Sequence, residues 1–258
     1  MRSTYFQILL LISLFLSTKA HSGVDFKYGG SLRSFPSIGG ALEANLGYSQ
    51  PLWGAQGSPF SGLIRPSINA THTVVVNDYD AALTFYPVSF IGIYGGHKEL
   101  YSRYDSFTAH DCETTRCEGN MKKDYLGAKL AFAYKSFLAT HSYTEFRNSY
   151  NDPTGAGLPV VEYEWVSEVN PNFENSIRKN YFVGLKLDNK DILGLAFDFR
   201  EFEISKEYYK FSALIYQMSI SNVNLVMGVG SQESKVSGAG TVLIFRVTHV
   251  LLPSLNAF

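Results

Sequence analysis

Through most of this chain, apolar residues recur at every second position in segments of about ten, and clusters of Gly, Asn, Asp, Ser and Pro separate the segments. A period of two puts successive side chains on opposite faces of a strand, so the pattern reads as β-structure throughout. In residues 192–202, Leu193, Leu195, Phe197 and Phe199 share one face, while Gly194, Ala196, Asp198 and Arg200 share the other. Residues 241–251 set Leu243, Phe245 and Val247 opposite Arg246 and Thr248, and residues 181–187 set Tyr181, Val183, Leu185 and Leu187 opposite Gly184 and Lys186. After the first twenty-odd positions no run of about eighteen apolar residues occurs, which excludes a helical membrane protein.

Two all-β architectures produce this alternation. A soluble sandwich or barrel buries the apolar face, and a transmembrane barrel turns it to lipid. Connection lengths separate them. The spacing predicts twelve strands, at about 24–34, 40–49, 60–71, 78–86, 88–101, 122–134, 136–147, 177–187, 190–201, 207–218, 221–231 and 239–251. The connections near Tyr86-Pro87, Tyr134-Lys135, Asp188-Asn189 and Ser219-Ile220 are tight, and those at 102–121 and 148–176 are long. Short turns at one end, long loops at the other and an even strand count are the signature of an antiparallel up-and-down transmembrane β-barrel. A thirteenth strand at 160–169 would leave an odd count, so that stretch is expected to be a folded extracellular loop.

The N-terminus reads as a targeting device. Arg2 supplies the positive end, residues 8–15 the short apolar core and Thr18-Lys19-Ala20 the small-residue cleavage site, so residues 1–20 are expected to be a signal peptide, with cleavage after Ser22 as the alternative. The remainder, 21–258, is expected to be one barrel domain. These features, with the terminal Phe258, resemble bacterial outer-membrane β-barrels as a class. The resemblance covers nearly all of the chain beyond the signal, and it implies the outer membrane of a Gram-negative bacterium, contact with its lipid, and handling by the barrel-insertion machinery through the C-terminal strand. Ser254 and Asn256 stand where that class usually carries apolar residues, and Pro253 interrupts pairing. Tyr28, Tyr48, Phe85, Tyr86, Tyr94, Tyr101, Tyr134, Tyr143, Tyr181 and Tyr209 are candidates for interfacial girdles.

Charge says what such a barrel handles. The 22 basic and 23 acidic residues leave a net charge of −1, with no polybasic arm for nucleic acid. Phasing each strand with its apolar face outward puts Lys27, Arg33, Arg65, Lys129, Lys186, Arg200, Lys210 and Arg246 inside, against Asp25, Glu43 and Asp198. A basic constriction favours anions, so Arg33, Arg65, Lys129, Lys186, Arg200 and Arg246 are expected to line an anion pathway for small solutes such as phosphate, carboxylates or acidic sugars. The competing expectation is a lumen filled by side chains, with Asp198–Arg200 and Glu43–Arg65 ion pairs tying the wall together.

Catalysis has weaker signals. A barrel-embedded lipid hydrolase could use His141, Tyr143 and Glu145 on one face, but His141 cannot readily activate the adjacent Ser142, which points to the other face. His72 and His97 have no nucleophile at a telling spacing, and Asp78 with Asp80 has no locatable His. Cys112 and Cys117, five apart, are expected to form a disulfide bracing the long third extracellular connection; His110, Asp111 and the two thiols lack zinc spacing. Glu162, Glu164, Glu168 and Glu174 could hold divalent ions or simply be solvated. No catalytic residue, metal or cofactor is assigned. The expected functions are therefore a passive anion-preferring pore, a barrel that displays its loops, or, third, the hydrolase.

Overall fold

A computed structural model describes residues 23–34, 39–54, 58–102, 112–151, 158–162, 167–188 and 191–252. The expected signal peptide, with Arg2, and the C-terminal Pro253, Ser254, Asn256 and Phe258 lie outside them, as do His110, Asp111 and Glu164.

Fourteen strands form among the described residues: β1 (Gly23–Arg33), β2 (Gly39–Trp53), β3 (Gly62–Thr73), β4 (Val76–Val88), β5 (Ile91–Ser102), β6 (Gly119–Tyr134), β7 (Phe137–Asn151), β8 (Val160–Glu162), β9 (Ser167–Val169), β10 (Phe173–Lys186), β11 (Ile192–Phe202), β12 (Tyr208–Ile220), β13 (Val223–Ser234) and β14 (Gly238–Leu252). Twelve close into an antiparallel barrel in the order β1-β14-β13-β12-β11-β10-β7-β6-β5-β4-β3-β2, and β8 with β9 makes a separate hairpin. Closure pairs β1 with β14, setting Tyr28 opposite His249 and Ser31 opposite Arg246. Residues 160–162 and 167–169 therefore lie outside the barrel wall, as the even strand count required.

Gly23 and Leu252, the ends of β1 and β14, lie at one end of the barrel, the periplasmic end in this class. Tight turns at Ser89-Phe90, Lys135-Ser136 and Ser221-Asn222 sit at the same end. Lys135 and Ser221 adopt φ of 53°, the left-handed conformation that lets a two-residue loop follow the twist of its strands. At the other end two connections are long, 103–118 and 152–172, while 203–207 has five residues, 235–237 three and Val74-Val75 two; at the periplasmic end 54–61, with eight, is the longest. The connections 103–118 and 152–172 are shorter than the spacing suggested because β5, β6, β7 and β10 all run further than the apolar pattern does.

Exposure decides which way the apolar face points. Leu42 is 66% exposed and Leu126 63%, whereas Asp25 is 0% and Arg200 1%. A soluble barrel would reverse these values. Successive outward positions form an apolar belt: Leu130, Phe132 and Tyr134 on β6, Val183 and Leu185 on β10, Leu193 and Leu195 on β11, Leu243, Phe245 and Leu251 on β14. On β5 to β7 and β10 to β13 the belt stops before the extracellular end, where the outward residues become His97, Glu99, Lys122, Asp124, Glu145, Arg147, Lys179, Glu201, Lys210 and Glu233. These strands thus project beyond the bilayer. Among the girdle candidates, Tyr28, Phe85, Tyr101, Tyr134, Tyr143 and Tyr181 face outward, but register turns Tyr86, Tyr94 and Tyr209 inward.

Candidate functional site: the barrel interior

Directly opposed residues of an antiparallel pair share a face, so register fixes the interior once one residue is placed. It brings together Lys27, Arg33, Arg65, Lys98, Lys123, Lys129, Arg178, Lys186, Arg200 and Arg246 against Asp25, Glu43, Asp78, Asp80, Glu174 and Asp198. Every one of the six cations expected to line the pathway faces inward. Lys210 does not: it pairs with Phe199 and Glu233 on the outer face. The phase of β12 is ambiguous in sequence because both its faces carry apolar residues, Phe211, Ala213 and Ile215 inside and Leu214 and Tyr216 outside. Lys98, Lys123 and Arg178 have the opposite history. Lys123 shares the parity of Lys129, and Arg178 that of Lys186, but the outward neighbours Lys122 and Lys179 are as polar as they are, so local alternation does not single them out.

At the waist these charges interlock. The Arg65 guanidinium donates to both oxygens of the fully buried Asp25, with Nε 2.9 Å from Oδ2, and to Asn45 Oδ1 at 2.7 Å. Asn45 in turn bonds Asn69, Asn69 donates to Asp80 Oδ2 at 3.1 Å, and the Tyr125 hydroxyl donates to Asp80 Oδ1 at 2.7 Å. One polar chain so links β1, β2, β3, β4 and β6. Arg65 can lie flat across the wall because Gly47 is beneath it; a Cβ there would fall 2.2 Å from the guanidinium. Elsewhere Lys98 pairs with Asp78 at 2.6 Å, Arg178 holds Asp198 through two nitrogens, and Arg246 pairs with Glu43. The expected Asp198–Arg200 and Glu43–Arg65 pairs are thus replaced by other partners: across β10 and β11, register puts Arg178 opposite Arg200 and beside Asp198. Asp78 and Asp80 are engaged within this wall.

Not every cation is matched. Lys27 and Lys129 form no ion pair among the described residues. The Lys129 ammonium instead lies 4.7 Å from the Tyr86 ring centre and 5.7 Å from that of Tyr94, and its stem runs over Gly92. Arg200 stacks over Phe146 at 4.7 Å and Phe202 at 4.9 Å while donating to Ser176 Oγ. Tyr94, Tyr125 and Phe146 make a contiguous aromatic band on the wall between these two cations, with ring centres 6.3 and 5.7 Å apart.

Nearer the extracellular end the interior turns apolar. Val76, Leu100, Met121, Tyr150 and Phe202 point in from five barrel strands and meet Val160, Val161 and Val169 of the β8–β9 hairpin, which are 0–3% exposed. The hairpin therefore caps the mouth from within. The Cys112–Cys117 disulfide forms as the spacing implied, with Cα atoms 5.5 Å apart, and Cys117 belongs to the cap core. Arg116 clasps β8 through its backbone, donating to Pro159 O at 2.7 Å and accepting from Val161 N at 2.9 Å. Glu168 accepts from Thr115 Oγ1, and the buried Glu174 accepts from the backbone N–H groups of Ile204, Ser205 and Asn170. These two carboxylates tie loops together, and among the described residues no group of three metal-ligating side chains assembles.

The histidine constellation lies on the opposite surface. His141 faces outward and stacks on Tyr181, ring centres 4.4 Å apart, with Nδ1 3.0 Å from Asn180 O. Tyr143 donates to Glu145, not to His141, and Ser142 faces the lumen. His72 contacts Asn77, and His97 Nδ1 lies 2.7 Å from Asp124 on the outer face, so neither meets a nucleophile.

A closed even-stranded barrel, an outward apolar belt, an inward polar wall and termini at the short-turn end define the class: an integral outer-membrane β-barrel. No protein-family model matches the chain, and no curated protein matches it in sequence. Solved structures similar to it include the KdgM porin, 12% identical over 87% of this chain and 98% of that one with a TM-score of 0.44, and the NanC porin, 11% identical over 86% and 97% with 0.48. OmpT of Vibrio cholerae is 9% identical over 90% and 99% with 0.46. The likeness is one of barrel shape.

Proposed function

We propose that the barrel is a porin-like passive channel whose waist favours small anions. The observation that supports this most is the interior charge: on the wall, cations outnumber carboxylates, and Lys27 and Lys129 make no ion pair among the described residues. In a narrow, weakly screened lumen such charges attract anions and repel cations. Arg65 and Arg246 are neutralised by Asp25 and Glu43, so the working field comes chiefly from Lys27, Lys129 and Lys186. Small carboxylates and phosphate fit this field without further assumption, and no step needs a catalyst or cofactor.

The test is selectivity in planar bilayers under a salt gradient. The wild type should show an anion-directed reversal potential, and Lys27→Glu/Lys129→Glu should move it toward cations. Unchanged selectivity with intact conductance would overturn this assignment. A second reading, a barrel that displays its extracellular loops, is favoured by the disulfide-braced cap, which orders those loops into one surface. A silent barrel, even with its cap disrupted, would transfer support to that reading.

A further inference from the structure

The outer wall carries a feature independent of the lumen. Where β10 to β13 leave the apolar belt, register aligns Lys179, Phe199, Lys210 and Glu233 in one outward row, with Glu233 accepting from the Tyr208 hydroxyl. The lysines are two strand spacings apart, about 10 Å. Toward the periplasm the same wall exposes Val183, Leu185, Leu195 and Leu214 to lipid. Neither lysine forms an ion pair among the described residues, and Lys210 rests against the Tyr208 ring at 4.8 Å. A lysine facing hydrocarbon is costly, and its long stem resolves the cost by carrying the ammonium to headgroup level.

Immediately beyond this row, toward the outside, the wall is hollowed. A cavity of about 920 Å³ crosses it, lined among others by Glu145, Arg147, Asn175, Ile177, Glu201 and Tyr208. Carboxylates and an amide beside a tyrosine ring are suited to sugar hydroxyls and a sugar's apolar face. From periplasm outward, the wall therefore offers an apolar strip, a pair of cations and a hydroxyl-binding hollow. That is the order of parts in an amphiphile with acyl chains, a phosphate and a saccharide.

We infer that this wall binds a phosphorylated glycolipid of the outer leaflet. Its acyl chains lie on Val183, Leu185 and Leu195, its phosphate bridges Lys179 and Lys210, and its sugar occupies the hollow against Glu145, Glu201 and Asn175. Arg147 and Lys206 also line the hollow, but Asp124, Glu145, Glu201, Glu203 and Glu207 outnumber them, which disfavours the phosphate there relative to the lysine row.

The test uses the full chain in phosphatidylcholine nanodiscs, alone or with phosphorylated lipid A, dephosphorylated lipid A or phosphatidylglycerol of equal charge. Two readouts are taken: the temperature at which the folded, fast-migrating gel band converts, and the lipid retained in native mass spectrometry. Phosphorylated lipid A should raise the wild-type midpoint by about 5 °C and be retained. Lys179→Gln/Lys210→Gln should lose both effects while matching the wild type in phosphatidylcholine alone, and Lys179→Arg/Lys210→Arg should keep them. An equal rise with phosphatidylglycerol or dephosphorylated lipid A, an undiminished rise in the Gln variant, or no retention by the wild type would overturn the inference. None of these outcomes depends on whether the lumen conducts.

Discussion

At the extracellular mouth, Leu100, Met121, Val160 and Val161 are shielded from water almost entirely, whereas toward the periplasm the same wall presents Arg65, Asp25, Asn45, Asn69 and Asp80 as one hydrogen-bonded chain. The two regions are held by different physics. The cap depends on apolar area removed from water, which is non-directional and tolerant of shape-conserving exchange. The waist depends on specific partners, and a single truncation leaves a buried charge exposed to low dielectric. The cap hairpin also lies outside the barrel ladder, so it can part without breaking any strand pairing of the wall, and the waist cannot.

The largest effect should come from putting a charge into the dry region. Val161→Asp places a carboxylate among Val76, Leu100 and Val169 at a cost of several kcal/mol, enough to open the cap. Channel conductance should rise several-fold while the heat-modifiable gel shift of the closed barrel persists; loss of that shift would mean that cap and wall are one cooperative unit. Next, Arg65→Ala should destabilise the barrel by about 3–5 kcal/mol by orphaning Asp25, and Asp25→Asn in the same chain should recover much of it. Urea unfolding from lipid vesicles measures both, and an absence of rescue would show that packing over Gly47, not charge, is what Arg65 supplies. Cys112→Ser/Cys117→Ser releases a short loop, a change of about 2 kcal/mol confined to the cap. Hydrogen exchange should quicken at Arg116 and Val161 and stay unchanged in β1 and β14. Smallest of all, His141→Ala should alter neither conductance nor lipid turnover, since its ring stacks on Tyr181 away from any nucleophile.

The same contrast separates what was legible in the sequence from what was not. Wherever one face of a strand meets lipid, as at Leu193, Leu195 and Phe199, alternation reveals its phase, and the six lumen cations follow. Above the belt the outward face turns polar while the inward face mixes Lys98 and Lys123 with the dry Leu100 and Met121, so alternation no longer singles out the lumen side. On β12 both faces are apolar and Lys210 was turned the wrong way round. Ion-pair partners depend on register, which only the closed sheet supplies. The cap was least visible, because Val160 and Val161 form a strand too short to show a period, and their partners come from five separate segments.

Ser34 and Leu243 are hydrogen-bonded across 209 residues of chain, at the seam where β1 meets β14. Until that seam zips, the twelve wall strands form a curled sheet with two raw edges, β1 and β14, each offering unpaired amides to any neighbouring chain. Such distant contacts form late and slowly, since the loop they close must be ordered before they return anything. Once formed they leave no strand end from which to fray, so the assembled ring should persist for kinetic reasons long after equilibrium favours its loss.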